Sequence, residues 1–469
     1  MAEEKKKSNL WNFLDNLEGD KVVWMIVFLL MLISIVAIFS STSQLALSQK
    51  TSRMAIVGEQ MLITVIGFGV ILLCYSIRSI GFFRVISQFG YLVSIFLLLI
   101  LASHKAIGPI KPLMINSAWR IVSIGGFQLH VFEVVKIAMV MYLAWAVNAY
   151  RNDKFMIANL LAEKYKFWKK PMVKKITYIY IPIFTVCLGI MVGSLSSTIF
   201  IGGIMFITIL IGGISIRELI LPGLVAVALL VGCIGINTVC IKKDKNAPFP
   251  HLESAMRRIT SDSTESRLEI LRTKPQNSSE FQDALDKLKQ PVSAKIAIHE
   301  GKLFGKGPGR STQRYVVPIM FEDYMFSFIV EEYGLLGGLL VIILYISLLA
   351  RGSIIVRNCD NHFAKTAVAG LVILITGQAM MHIMINCDMG PLTGQTLPLI
   401  SHGNSSYLMF SLAFGIILSI SKMAKRKIAR EAAKAAPLVE HTRKEEVEDR
   451  LDALDQLESE LPVDDFNNE

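Results

Sequence analysis

The apolar residues of this chain gather in long blocks instead of recurring at amphipathic spacing. Such blocks run over residues 22–39, 61–75, 85–102, 132–147, 178–192, 198–214, 219–236, 326–349, 366–385 and 406–420. Their lengths approach the roughly 20 residues a helix needs to cross the hydrocarbon core of a bilayer. In lipid every backbone N–H and C=O must find an internal partner, so each block is predicted to be a helix. No run alternates apolar and polar residues as a membrane-barrel strand would. The expected fold is an all-α polytopic membrane protein of about ten transmembrane helices.

The connections between blocks sort by charge. Lys5, Lys6 and Lys7 precede the first block, and Arg78 and Arg84 follow the second. Arg151, Lys154, Lys164, Lys166, Lys169, Lys170, Lys174 and Lys175 follow the fourth. Arg351, Arg357 and Lys365 follow the eighth, and Lys422, Lys425, Arg426, Lys427 and Arg430 follow the last. With ten spans all five clusters fall on one side, which the positive-inside rule makes the cytoplasm, with both termini there. Three parts follow: a cytoplasmic segment over residues 1–21, a membrane domain over 22–425 and a cytoplasmic tail over 426–469. Within the membrane domain, residues 241–325 form a large outer loop between spans seven and eight. Its length is unusual for a connection, and long ordered loops are usually functional. In the tail, Val447, Leu451, Leu454, Leu457 and Leu461 recur at helical spacing in acidic sequence, which predicts a short amphipathic helix. Trp24 and Trp168 fall where interfacial aromatics belong.

Composition changes this picture little. The chain is 53% hydrophobic and only 18% charged, against roughly 25% charged in soluble domains. A net charge of +10 would suit nucleic acid, but its sorting to one face accounts for it, and no nucleic-acid partner is expected. The six cysteines show no metal-binding or redox spacing and read as small hydrophobes. The first block is too long for a signal peptide and lacks a small-residue cleavage site, so it reads as an uncleaved anchor.

Four polar places interrupt the apolar pattern, where ionisable residues are costly and suggest function. Residues 301–338 carry Gly305, Gly307 and Gly309, then Ser311, Gln313 and Arg314, then Glu322 and Asp323 at the outer mouth of span eight, then Glu331 and Glu332. On spacing alone, Asp323 either caps that helix or serves as a carboxylate of raised pKa suited to general-base work. Residues 385–406 are broken by glycine and proline, and form either a re-entrant segment lining a cavity or an external loop. In residues 116–136, Glu133 and Lys136 share a helix face and read as an internal ion pair; Trp119 and Arg120 lie near the outer surface. The last place, 193–198, is a polar turn.

At these places the chain resembles the SEDS proteins (shape, elongation, division and sporulation), bacterial membrane glycosyltransferases that polymerise lipid II into peptidoglycan. The motifs that carry the resemblance are Gly305 to Ser311, Gln313, Pro318, Asp323 to Phe326, Glu331 to Gly334 and residues 391–406, with a looser match at Asn116, Ala118, Arg120, Glu133 and Lys136. The chain departs from the family pattern at Trp119, Ile121, Val131, Phe132, Gly193, Ser194, Glu300, His402 and Asn404.

The resemblance implies a catalytic role for Asp323, taking the proton of an acceptor-sugar hydroxyl. It also implies substrate contacts by Arg120, Glu133, Lys136, Arg257, Arg258, Ser311, Gln313, Glu332, Thr393, Ser401, Ser405 and Ser406. Arg314 joins the arginines suited to a pyrophosphate leaving group. No metal cluster is written in the sequence; a divalent cation (Mg or Mn) would be chemically reasonable on the pyrophosphate. The implied partners are lipid II, a class B penicillin-binding protein and other division proteins, and the implied place is the bacterial inner membrane. Gln395-Thr396-Leu397-Pro398 and the long cytoplasmic ends resemble the cell-division member of the family more than the elongation member, which puts the protein at the septum. A lipid II flippase and a non-catalytic division scaffold are the alternatives; no inverted internal repeat supports the flippase.

Overall fold

The computed structural model describes residues 17–42, 46, 52–115, 118–242, 264–276, 278–316, 320–390 and 394–460. The apolar blocks form α1 (Lys21–Ser41), α2 (Arg53–Ser76), α3 (Ile80–Ser103), α4 (Val131–Arg151), α6 (Pro171–Met191), α7 (Leu195–Ile211), α8 (Ile216–Lys242), α12 (Met325–Asn358), α13 (His362–Asn386) and α14 (Asn404–Glu460). Among the described residues nine of these are long and apolar enough to cross a membrane; α7, sixth of the ten in chain order, is a shorter apolar helix of 17 residues. The chain is a polytopic helical membrane protein.

The connections add smaller elements. α5 (Met156–Lys164) lies between α4 and α6, while α9 (Thr264–Thr273), α10 (Ser279–Gly301) and the one-turn α11 (Met320–Asp323) precede α12. The all-α expectation missed one piece. Between α3 and α4 the chain forms a three-stranded antiparallel sheet, β1 (Ile110–Ile115), β2 (Ala118–Ile124) and β3 (Phe127–His130), in the order β1-β2-β3. β2 and β3 are joined by Gly125 and Gly126, both with positive φ, in a tight hairpin with Ile124 opposite Phe127. Such a turn suits glycine. Residues 103–131 separate the apolar blocks here, and the short alternating stretches among them are too brief to read as strands alone.

The basic connections meet at one end of the bundle. Arg351 grips Asp20 there through Nε at 3.0 Å and Nη2 at 2.5 Å, and Asp20 also caps α1 by accepting from Val22 and Val23. Lys425 donates to the Gly19 carbonyl at 2.7 Å, Arg84 to Asn361 at 3.1 Å, and Lys427 pairs with Asp360 at 2.5 Å. The sheet, the 193–198 turn, α10, α11 and residues 394–403 gather at the opposite end. Trp24, expected as an interfacial anchor, is buried instead. Its ring lies 5.2 Å from Tyr75 and 5.9 Å from Phe28, and its indole donates to the Glu18 carbonyl.

Lipid offers no hydrophobic drive for helices to meet, so close contact depends on small residues. A Cβ on Gly67 of α2 would come within 2.6 Å of Ser411 Oγ on α14. One on Gly370 of α13 would meet Val140 of α4 at 2.6 Å, and one on Gly352 of α12 would meet Val372 of α13 at 2.7 Å. These approaches make α4, α12, α13 and α14 the interior of the bundle. α8 stands at its edge with Leu221, Leu224 and Val227 exposed, touching Met191 and Leu195 through Cys233 and Ile234. The tail is helical as expected, but continues α14 without a break to Glu460.

Candidate active site

Asp323 ends α11, and α12 begins two residues later. The N-cap position of α12 is Tyr324, which makes no side-chain cap bond, so Asp323 does not cap the helix. Its carboxylate accepts no hydrogen bond from a described residue. Its backbone is held firmly: the Asp323 carbonyl accepts from Asn386 Nδ2 at 3.1 Å, and the Glu322 carbonyl from Ser401 Oγ at 2.8 Å. The Phe321 carbonyl accepts from the His402 amide at 2.9 Å. Gly394, with φ of 60°, passes beside the carboxylate; a Cβ there would lie 3.7 Å from both carboxylate oxygens. Burial pushes the Asp323 carboxyl up to about 6, against a smaller downward pull from Arg120. Burial, with the neighbouring Asp323, pushes Glu322 up to about 8.

Behind this turn lies a buried cation. Lys136 on α4 donates to Glu133 Oε1 at 2.6 Å, to Gln378 Oε1 at 2.5 Å and to Gln395 Oε1 at 3.3 Å. The predicted ion pair exists, and it is part of a larger net. Gln378 donates to the Thr396 carbonyl at 2.9 Å, Thr396 and Ser406 share a hydrogen bond of 2.7 Å, and Ser405 accepts from the His130 amide at 3.1 Å. The 193–198 turn joins it too: Arg120 Nε donates to the Gly193 carbonyl at 3.3 Å, and Gln395 donates to Ser197 at 3.4 Å. Residues 395–401 of the 385–406 segment are therefore packed inside the protein, with Leu397, Leu399 and Ile400 buried, whereas Met389 and Cys387 at its start are exposed.

The glycine-rich segment has a different job. α12 is broken at Gly334, whose φ of 73° and ψ of −176° are not helical. The segment after α10 supplies partners to the broken helix. Lys306 and Gly307 donate to the carbonyls of Glu331 and Glu332, each at 2.9 Å, and Leu335 donates to the Lys302 carbonyl at 2.9 Å. The Glu331 carboxylate accepts from Lys306 Nζ at 2.9 Å, Ser311 Oγ at 2.5 Å and the Thr312 amide at 2.8 Å. Glu332 accepts from Ser40 Oγ at 2.6 Å and from the amides of Gly309 at 3.0 Å and Ser311 at 3.3 Å. Lys306 also bonds Glu300, which ties that family departure into the clamp.

The structure thus brings Asp323, Arg120, Glu133, Lys136, Ser401, Ser405 and Ser406 into one region. It assigns Ser311 and Glu332 to the clamp, because their polar atoms are spent on holding the loop. Gln313 lies in that loop too, in a single 3-10 turn, and its side chain donates to Thr312. Arg314 is buried beside Ser40, its Nη1 donating to the hydroxyl at 3.3 Å. Arg257, Arg258 and Thr393 lie outside the described residues. The sequence reading missed Gln60, Gln378, His382 and Asn386, all buried, and took Gln395 only as part of a motif. The signal of the first four was polar residues in or at the ends of apolar spans, which lipid disfavours. Among the described residues no three of His, Cys, Asp or Glu converge on a common point.

Comparison with known proteins identifies a family and a fold. Residues 20–426 match the cell cycle protein family of FtsW, RodA and SpoVE. The chain is 24% identical over 412 residues to the stage V sporulation protein E of Bacillus subtilis, covering 87% of this chain and 98% of that protein. It is 28% identical over 411 residues to a probable peptidoglycan glycosyltransferase FtsW of Enterococcus hirae, covering 86% and 92%. A shorter stretch of 131 residues is 37% identical to a probable peptidoglycan glycosyltransferase FtsW of Caulobacter vibrioides and spans 34% of that protein. Among solved structures, a chain of a peptidoglycan synthase complex superposes with a TM-score of 0.59 at 18% identity, covering 87% of this chain and 98% of that one, which supports the fold.

Proposed function

This chain belongs to the cell cycle protein family of FtsW, RodA and SpoVE, and from that premise we propose that it is a peptidoglycan glycosyltransferase joining lipid II units into glycan strands. The observation that carries the reading is Asp323: a carboxylate with no hydrogen-bond donor among the described residues, raised to about 6, on a turn whose backbone is held by three hydrogen bonds. A general base works best with a pKa near the working pH. Asp323 takes the proton of the acceptor hydroxyl as its oxygen attacks the anomeric carbon of the donor sugar. The bond from that carbon to the pyrophosphate oxygen breaks, and the undecaprenyl pyrophosphate leaves with the electron pair. Arg120, half-buried on β2 and acting electrostatically on Asp323, is suited to the charge that develops on the phosphates. Lys136 is buried and fully engaged, and its part is to hold the 394–406 segment in register. A Mg or Mn ion, if used, would arrive on the pyrophosphate.

The remaining assignments rest on sequence and sidedness. The basic end is cytoplasmic by the positive-inside rule, which places Asp323 outside, where lipid II is polymerised, and both termini inside. Membrane domain and tail divide at residues 425 and 426. A single-span class B penicillin-binding protein is the partner that would cross-link the product, and the Gln395 to Pro398 motif favours the septal role. The test uses purified protein with its transpeptidase and lipid II, read as glycan polymer on a gel. Polymer from the wild type and none from Asp323→Asn, at equal thermal stability, supports the reading. Equal polymer from both removes Asp323 from the chemistry. Lipid II translocation without polymer favours a flippase.

A further inference from the structure

α12 starts without a cap of its own, and a neighbouring helix does the work. Gln378, His382 and Asn386 stand four residues apart on α13, so they form one stripe along a single face. All three are buried to 1% or less of their surface. Polar side chains this deep in a membrane bundle are costly unless every group is paired. Their partners run in order along the site. Gln378 receives Lys136 Nζ at 2.5 Å and donates to the Thr396 carbonyl at 2.9 Å. His382 Nε2 accepts from the Phe326 amide at 3.3 Å, while Nδ1 lies 2.7 Å from the Gln395 carbonyl. Those partners fix the tautomer: Nε2 bears the lone pair and Nδ1 the proton. Asn386 Oδ1 accepts from the Ser327 amide at 2.9 Å and its hydroxyl at 2.7 Å, and Nδ2 donates to the Asp323 carbonyl at 3.1 Å.

The amides of Phe326 and Ser327, second and third in α12, are thus satisfied from α13; Tyr324 at the N-cap makes no side-chain cap bond, and Asp323, one residue before it, is the nearest carboxylate on its own turn that could do so. We propose that Gln378, His382 and Asn386 are positioning residues, a rail on α13 that holds the Asp323 turn against the 394–396 segment and releases the Asp323 carboxylate from capping. Capping would consume the carboxylate lone pairs that a base needs. The rail takes over that duty, and ties the turn to Lys136 through Gln378. The inference rests on the glycosyltransferase reading for its catalytic meaning, but the geometry it describes can be tested apart from activity. The titratable groups around Asp323 are Glu322 on its own turn, Arg120 from β2 and His382 from α13, with His402 edge-on to Phe321 close by.

The experiment compares the full-length wild type with His382→Leu, His382→Gln and the milder Asn386→Ser, each purified with the transpeptidase. Two readouts are taken across pH: glycan polymerisation from lipid II, and labelling of Asp323 by a water-soluble carbodiimide, located by mass spectrometry. Gln offers an acceptor for the Phe326 amide and a donor for the Gln395 carbonyl. Expected for His382→Leu is at least a tenfold loss in kcat with KM for lipid II within twofold. The acid limb and the labelling midpoint both move down by half a pH unit or more, as the loosened turn admits water. His382→Gln recovers to within threefold, and Asn386→Ser shifts the midpoint in the same direction without loss of fold. Leu and Gln variants that fall equally with an unmoved midpoint overturn the proposal, as does a Leu variant that matches the wild type. A midpoint shift in a protein whose wild type makes no polymer leaves the rail standing and removes the glycosyltransferase reading.

Discussion

Two pairs of acidic residues lie close together along the chain, Glu322 with Asp323 and Glu331 with Glu332, and the fold treats them oppositely. Glu331 and Glu332 are fully buried, and amides, hydroxyls and Lys306 converge on them. Glu322 and Asp323 keep part of their surface open and accept nothing from a described residue. A buried carboxylate ringed by donors is pre-empted: its lone pairs are spent on structure. A carboxylate whose backbone is clamped while its side chain is left open retains its lone pairs for a substrate. Sequence proximity gave both pairs the same claim to chemistry, and hydrogen-bond accounting separates them.

The largest expected effect probes the open pair. Asp323→Asn should lower polymerisation at least a hundredfold, within the range of lost general-base catalysis, while the melting temperature in detergent stays within a degree or two. A matching fall in melting temperature would break the contrast, because Asp323 would then be structural. On the other side, Glu331→Ala takes the acceptor from the buried Ser311 hydroxyl and the Thr312 amide, while Lys306 keeps Glu300. It should cost about 1–3 kcal/mol of stability, measured as loss of the folded peak in size exclusion and a lower melting temperature. An active, stable Glu331→Ala protein would place that pair nearer the chemistry than we do.

The pH dependence sharpens the comparison further. The acid limb of polymerisation should fall near pH 6, since Asp323 must be ionised to accept a proton and burial holds its carboxyl at about 6. A limb near pH 4 would mean that the carboxylate is solvated. For stability the sign runs the other way. A carboxyl raised by folding stabilises fully below its unfolded value, and that contribution is lost as pH rises through the folded one. Glu322 moves from 4.5 to about 8, so Glu322→Gln should raise stability by a few kcal/mol at pH 8.5 and change little at pH 4. Melting curves at the two pH values check this. The smallest effect belongs to His402, whose ring meets Phe321 edge-on and whose Nδ1 lies 3.0 Å from Gln60. His402→Phe keeps the ring and loses that bond, for about 1 kcal/mol by the same measurement, leaving the acid limb in place.

Much of the membrane architecture was legible because lipid enforces a simple rule: apolar blocks must be helices, and their ends sort by charge. All ten blocks became helices for that reason, and the basic clusters among the described residues meet at one end, while Lys5 to Lys7 lie outside those residues. Asp323, Glu133 and Lys136 were legible as costly charges at membrane depth. The sheet at 110–130 was not, since its strands are short and their pairing is a tertiary fact. The role of Ser311 and Glu332 was missed because spacing cannot say whether a polar group faces a ligand or its own loop. The stripe of Gln378, His382 and Asn386 was visible as a four-residue spacing, but its meaning depends on which amides α12 leaves bare.

The splice between the glycine segment and the break in α12 bears on genetics. A Cβ at Gly301 would sit 2.1 Å from the Val330 carbonyl oxygen, one at Gly305 2.2 Å from that of Glu332, and one at Gly334 2.1 Å from that of Leu303. A collision with a side chain, such as Gly67 against Ser411 or Tyr407, can be undone by trimming the side chain it strikes. A collision with a carbonyl oxygen cannot, because every amino acid carries one. Missense changes at Gly301, Gly305 and Gly334 should therefore resist second-site suppression by side-chain substitution, while a lesion at Gly67 has partners that can be shortened to accommodate it.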